Sequence, residues 1–139
     1  MRTAITIFGL LIFAALASAC RYTPATIITG SGNVISEPRP VSDYSEVSLS
    51  GVGTLLIAQN DAETLTIEGE DNLVAEITTR VEKGRLIIGI KQQNVILQPT
   101  RPLVYHLSVK QLNALMLSGA GNAQADSITA PAFALNISG

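Results

Sequence analysis

The chain holds one cysteine and one histidine in 139 residues, so thiol and imidazole chemistry each have a single position. Cys20 cannot close a disulfide within the chain, and an unpaired thiol in an exported protein calls for a reason. Acylation of its sulfur supplies one. His106 sits in an alternating run, on one face with Val104 and Ser108 and opposite Tyr105, Leu107 and Val109. A general base needs a nucleophile and an orienting partner. The sequence specifies neither, so His106 reads as a surface or rim residue. One histidine and one cysteine cannot build a zinc-type site. The densest acidic stretch, Glu68-Gly69-Glu70-Asp71-Asn72, offers oxygen ligands that suit calcium. Its spacing departs from the EF-hand loop, which favours a solvated turn. Gly51-Val52-Gly53 and Gly119-Ala120-Gly121 lack the lysine and following helix of a phosphate cradle. Asn136-Ile137-Ser138 matches a glycosylation acceptor but reads as strand and turn. No catalytic, metal-binding or cofactor-binding residue is assigned, and no cofactor is implied.

The elements around Cys20 are those of export. Met1-Arg2-Thr3 is a short positive segment, and Ala4 to Leu16 is an apolar run broken only by Thr6 and Gly9. At roughly 13 residues it is shorter than the ~20 needed to span a bilayer and has the length of a signal-peptide core. Ala17-Ser18-Ala19 places small residues directly before Cys20. This resembles the lipobox of bacterial lipoproteins, with Ala17 where the pattern usually has leucine. The resemblance implies a signal peptide over 1–19, acylation of Cys20 with palmitate-like chains, and a tether over 20–27. Arg21, rather than aspartate, after the cysteine implies the outer membrane. Cleavage as an ordinary signal peptide, leaving a free thiol, is the alternative.

Formal net charge is −2. Losing Arg2 with the signal leaves 8 basic and 11 acidic side chains, a net −3, which offers no basic face to nucleic acid. Charged residues are 14% of the chain, and Val, Ile, Leu, Thr, Ser and Gly dominate, a composition of strands and turns. Period-two alternation predicts strands over Val47–Ser50, Thr64–Glu68, 75–82, Arg85–Ile90 and Tyr105–Val109, then at Leu115 and Leu117. Glu82-Lys83-Gly84 predicts a hairpin. Val95-Ile96-Leu97 is continuous and reads as buried on both faces. Asp71 to Arg80 is the only helix candidate, weakened by its β-branched residues. Gly30-Ser31-Gly32-Asn33 reads as a turn, and Glu37-Pro38-Arg39-Pro40 as a breaker.

A weak repeat is the most informative feature. Leu115 to Gly119 recurs within Phe133 to Gly139, with Ser-Gly returning after about 20 residues, and Val47 to Gly53 matches Leu115 to Gly121. The repeat turns are Ser50, Gly51 and Gly53, then Ser118, Gly119 and Gly121, then Ser138 and Gly139. A strand, a Ser-Gly corner and a further strand suit a β-solenoid, whose coils bury a core only when stacked. The expected fold is all-β, a right-handed parallel β-helix-like solenoid over 28–139, with an antiparallel β-sandwich as the alternative. The chain stops on a repeat turn, so the expectation is that the solenoid is incomplete at its C-terminal side.

Gly30 to Asn33, Val47 to Gly51, Leu115 to Asn122 and Leu135 to Gly139 together resemble the head GIN domain family of auto-transporter adhesins. The resemblance covers residues 28–139 and rests on order and spacing. It implies an envelope protein with a parallel β-helix-like domain and no site residues to carry over. The function expected is a non-catalytic envelope lipoprotein that binds a glycan or a protein. The alternatives are a polysaccharide-acting enzyme and a structural module that self-associates.

Overall fold

The computed structural model describes residues 24–139; the expected signal peptide, Cys20 and residues 21–23 lie outside the described residues. The described strands are β1 (Thr26–Thr29), β2 (Val34–Arg39), β3 (Glu46–Ser50), β4 (Gly53–Gln59), β5 (Thr64–Glu70), β6 (Ile77–Glu82), β7 (Arg85–Ile90), β8 (Val95–Gln98), β9 (Val104–Val109), β10 (Ala114–Ser118), β11 (Gly121–Ala125) and β12 (Ala134–Ser138). One short helix, α1 (Asp71–Val74), lies between β5 and β6. The strands form two five-stranded sheets, β12-β10-β3-β7-β6 and β11-β4-β9-β5-β2, and a two-stranded sheet, β1-β8. Six of the strand pairs are parallel and three antiparallel. The chain is therefore an all-β domain of mixed sheets.

Alternation in sequence becomes a set of stacked inward rows. In the first large sheet Leu115, Val47 and Leu86 lie side by side, as do Leu117, Leu49 and Ile88. In the second, Leu55, Tyr105 and Ile67 align, followed by Ile57, Leu107 and Leu65. All belong to one buried cluster. Each such side chain contributes roughly 1.5–3 kcal/mol on full burial, and this packing holds the two sheets against each other. Consecutive strands change sheet at the corners Gly51-Val52 and Gly119-Ala120. Parallel neighbours within a sheet are therefore distant in sequence.

The two ends of the stack differ. At one end antiparallel strands close it: β6 flanks β7, while β5 and then β2 lie beyond β9. There α1 inserts Leu73 and Val74, both fully buried. At the other end β12 is exposed along its length, with Phe133, Leu135 and Ile137 open to solvent. The β6–β7 hairpin turns through Lys83 and Gly84, with φ of 51° and 77°. Positive φ at both central residues is the mark of a type I′ turn, whose twist matches its strands.

Four expectations change. Only Asp71–Val74 of the 71–80 candidate is helical, and the β-branched run from Ile77 is strand β6. Pro38 does not break the chain. It lies in β2, an edge strand, where a missing N–H is tolerated. Val95-Ile96-Leu97 is not buried on both faces, because Val95 and Leu97 point inward while Ile96 is 54% exposed. Residues 53–59 form β4, a strand the alternation did not mark, since Leu55-Leu56-Ile57 is a continuous apolar run in which only Leu55 and Ile57 are buried. No helix among the described residues is long and apolar enough to cross a membrane.

Candidate functional site

The outward residues of the second large sheet form rungs across its strands. One rung is Gln124, Leu56, His106, Thr66 and Pro38; the next runs Asn122, Thr54, Val104, Glu68 and Ser36. Between β11, β4, β9 and β5 the face is hollowed into an open groove of about 440 Å³, lined by Leu56, Thr64, Thr66, His106, Gln124 and Asp126 among others. His106 Nε2 lies 3.2 Å from Glu68 Oε2, and both side chains are about half exposed. Ser108 shares their strand face, but its hydroxyl donates to Asn60 Oδ1 at 2.7 Å. The serine is thus committed to a loop-pinning bond and not offered to His106 as a nucleophile. Gln59 ties the segment after β11 to the groove's rim: its Nε2 donates to Thr129 O at 3.0 Å, and its Oε1 accepts from Thr129 N–H at 2.7 Å. The groove presents hydroxyl, amide, imidazole and carboxylate groups around an aliphatic floor, which is equipment for holding a polar ligand.

A second hollow, of about 330 Å³, opens at the β12 end and is apolar, lined by Ile57, Leu115, Leu117, Phe133, Leu135 and Ile137 among others. Among the described residues no group of three or more His, Cys, Asp or Glu side chains is placed to hold a metal ion.

The repeat-turn residues lie along one corner. Ser50 pairs with Ser118 and Ser118 with Ser138, and Ser118 Oγ donates to Ser50 Oγ at 2.9 Å. Gly51 N–H donates to Ser118 O at 2.9 Å, and Gly119 N–H to Ser138 O at 3.1 Å. Gly53 lies opposite Gly121. Gly119 has φ 92°, and a Cβ there would meet Gly51 O at 2.8 Å; a Cβ on Gly139 would meet Gly119 O at 2.6 Å. This corner is backbone packed on backbone, and at Gly119 and Gly139 it leaves no room for a side chain between adjacent strands.

Gly30-Ser31-Gly32-Asn33 takes a different place, despite its likeness to Gly119–Asn122. It is held at the closed end by the acidic stretch, which is neither a calcium loop nor a solvated turn. Glu70 is 1% exposed. Its carboxylate accepts from Thr100 Oγ1 (2.5 Å), Gly32 N–H (2.7 Å), Thr100 N–H (2.8 Å) and Arg101 N–H (3.3 Å). Asp71 accepts from the Ser31 hydroxyl at 2.5 Å and from Asn33 Nδ2 at 2.9 Å, while Asn72 Oδ1 accepts from Ser31 N–H at 3.0 Å. The Thr100 hydroxyl, then the N–H groups of Thr100, Gly32 and Arg101, hold the Glu70 carboxyl below its ordinary range. The Asn33 amide, then the Ser31 hydroxyl and Asn72 N–H, do the same for Asp71. Hydrogen bonds to the charged form favour it. Sequence reasoning missed this latch because its donors lie 30 to 40 residues from the carboxylates, with no periodic signal.

Two buried phenols complete the interior. Tyr44 donates to Ser108 O at 2.8 Å; burial, and then the charge of Glu63, push its pKa up to about 12. Tyr105 donates to Val52 O at 3.2 Å, and burial raises its pKa further still. Neither is available as an acid or base near neutrality.

Stacked mixed sheets with an open polar groove on one outer face define the class, an all-β domain. Residues 43–139 match the family described as "Putative auto-transporter adhesin, head GIN domain", and the chain belongs to that family. No curated protein matches the sequence significantly. Solved structures share the fold. A "putative adhesin" from Bacteroides fragilis is 20% identical with a TM-score of 0.65, over 79% of this chain and 55% of that one. A "putative lipid binding protein" from Parabacteroides distasonis is 22% identical with a TM-score of 0.69, over 81% and 49%. A "putative adhesin" from Parabacteroides merdae is 19% identical with a TM-score of 0.68, over 81% and 47%. The chain spans about half the length of these structures.

Proposed function

We propose that the chain is a non-catalytic, adhesin-like domain of the bacterial cell envelope that is anchored to the outer membrane through acylated Cys20. In this reading 1–19 is the signal peptide, 20–27 the tether and 28–139 the binding domain. It holds a glycan or protein ligand on the outer face of β11, β4, β9 and β5. Membership of the head GIN family over residues 43–139 carries the reading. The groove supplies the place, since Thr64, Thr66 and Gln124 can each donate to and accept from a hydroxylated or peptide-like ligand. The parallel stack β12-β10-β3-β7, with corners aligned at Ser50, Ser118 and Ser138, supports a right-handed β-solenoid whose coils continue one repeat. Such a scaffold offers extended faces to ligands.

The test has two arms. Protease shaving of intact cells, against permeabilised ones, reads whether the domain faces outward; protection until permeabilisation refutes surface adhesion. A panel of envelope and host glycans and matrix proteins is then screened with the acylated protein and with Thr66→Trp, which fills the groove. Binding retained by Thr66→Trp moves the ligand off this face. Self-association is the alternative reading. A sedimentation coefficient that does not change with concentration excludes it.

A further inference from the structure

The two-stranded sheet carries a feature that the groove does not use. In β1-β8, Ile27 and Ile96 are direct register partners. Both point outward, 60% and 54% exposed, while Ile28, Val95 and Leu97 point into the core. Two isoleucines side by side on a solvent face form a small apolar patch. The patch is rigidly set: Thr26 N–H donates to Asn94 O at 2.7 Å and Gly30 N–H to Gln98 O at 3.0 Å, bracketing the parallel ladder at both ends.

Two further observations say what covers it. Only five residues separate Cys20 from Thr26, a reach of about 20 Å at full extension. An acylated Cys20 therefore keeps the start of β1 within about 20 Å of the bilayer surface. The exposed surface also lacks repulsive charge. Residues 26–29 and 91–98 contain no aspartate or glutamate and include Lys91, in a mature chain with 11 acidic side chains. Glu70 and Asp71 lie at the far end of β1 and are occupied by the hydroxyl, amide and backbone donors of the latch. Glu76 borders the segment at Lys91, whose N–H donates to the Glu76 carbonyl at 2.9 Å.

The geometry points to the β1-β8 face as the side of the domain that lies on the membrane, with Ile27 and Ile96 seated at the boundary between headgroups and acyl chains. The inference rests on the anchoring of Cys20. Contact of this kind is shallow, and with the acyl chains it fixes orientation. It turns the β12 end and the groove into fixed directions relative to the bilayer, which free rotation on a tether would not do.

The chain contains no tryptophan, so Ile96→Trp and Gln124→Trp are each sole reporters. Each acylated full-length protein is reconstituted in vesicles of phosphatidylethanolamine and phosphatidylglycerol, with and without lipids brominated on the acyl chain. Mass spectrometry reads acylation of Cys20, and circular dichroism the fold. Brominated lipid is expected to quench Ile96→Trp several-fold more than Gln124→Trp, and adding Ile27→Asp to Ile96→Trp to remove most of the difference. Equal quenching of the two reporters on acylated, folded protein overturns the inference while leaving the anchor intact. Protection of Ile96→Trp that grows with protein density, without quenching, overturns it in favour of a second copy. An unmodified Cys20 and protein that washes off the vesicles instead overturn the anchor itself, and the inference with it.

Discussion

Replacing Gly119 by alanine tests whether the Ser-Gly corner is held by backbone packing. Two costs arise there. At φ 92° an L-residue is strained, by about 1–2 kcal/mol. The new Cβ also lies 2.8 Å from Gly51 O. That oxygen belongs to a residue whose own N–H is bonded to Ser118 O at 2.9 Å, so it cannot swing aside as a flexible side chain would. Overpacking of this kind adds about 1–3 kcal/mol. Gly84→Ala is the control, because Gly84 has φ 77° but nothing within 4 Å of a new Cβ. Gly119→Ala should therefore cost about 2–5 kcal/mol and Gly84→Ala about 1–2 kcal/mol. With a urea slope of about 1–3 kcal/mol/M, the midpoints should differ by about 1 M. Urea denaturation followed by far-UV circular dichroism measures both. Equal midpoints refute the reasoning, since they would mean that only φ matters and that the close approach of Gly119 to Gly51 constrains nothing.

Acid should weaken the closed end. The carboxyls of Glu70 and Asp71 are held below their ordinary ranges, so their contribution is present above the unfolded-state carboxylate pKa and lost as pH falls through the lower folded values. The urea midpoint should decline below about pH 4–5; Glu70→Gln should lower it at pH 7 and flatten the decline, and a decline of unchanged steepness in that variant assigns the acid sensitivity elsewhere. Leu49→Ala, at a site 1% exposed, should cost about 2–5 kcal/mol, whereas Ile27→Ala should change stability by less than about 0.5 kcal/mol; calorimetry separates them. The exposed His106–Glu68 pair should contribute at most about 1 kcal/mol, so His106→Ala should leave the midpoint nearly unchanged while weakening capture of any groove ligand. A large drop in stability would instead make His106 a structural residue.

The inward half of the fold was legible because period-two alternation is enforced by burial. Leu86 and Ile88, or Leu115 and Leu117, have to face the core together, and a one-residue slip would turn both to water. What the pattern concealed lies at the closed end, where strands stop following the repeat. Pro38 reads as a breaker until its strand is known to be at an edge. Val95-Ile96-Leu97 reads as doubly buried until β8 is known to belong to a two-stranded sheet with one face in solvent. The Glu70 latch joins segments 30 or more residues apart, and nothing in local sequence announces a carboxylate whose donors are backbone N–H groups of two other loops.

The groove was illegible for a different physical reason. Along any strand the outward positions carry no packing constraint, so Gln124, Leu56, His106 and Thr66 stand on one rung without any periodicity that distinguishes them from other solvent-facing residues. Parallel stacking also places rung neighbours far apart in sequence: Leu56 meets His106 across 50 residues, and Gln124 across 68. The inward residues of the same strands, Leu55, Ile57, Tyr105 and Leu107, are meanwhile held by the core. Exchange of rung residues should then change what the face binds at small cost to the fold, whereas the corner glycines allow no such exchange. On the proposed function, this separation places specificity in outward side chains that a single sequence leaves unmarked.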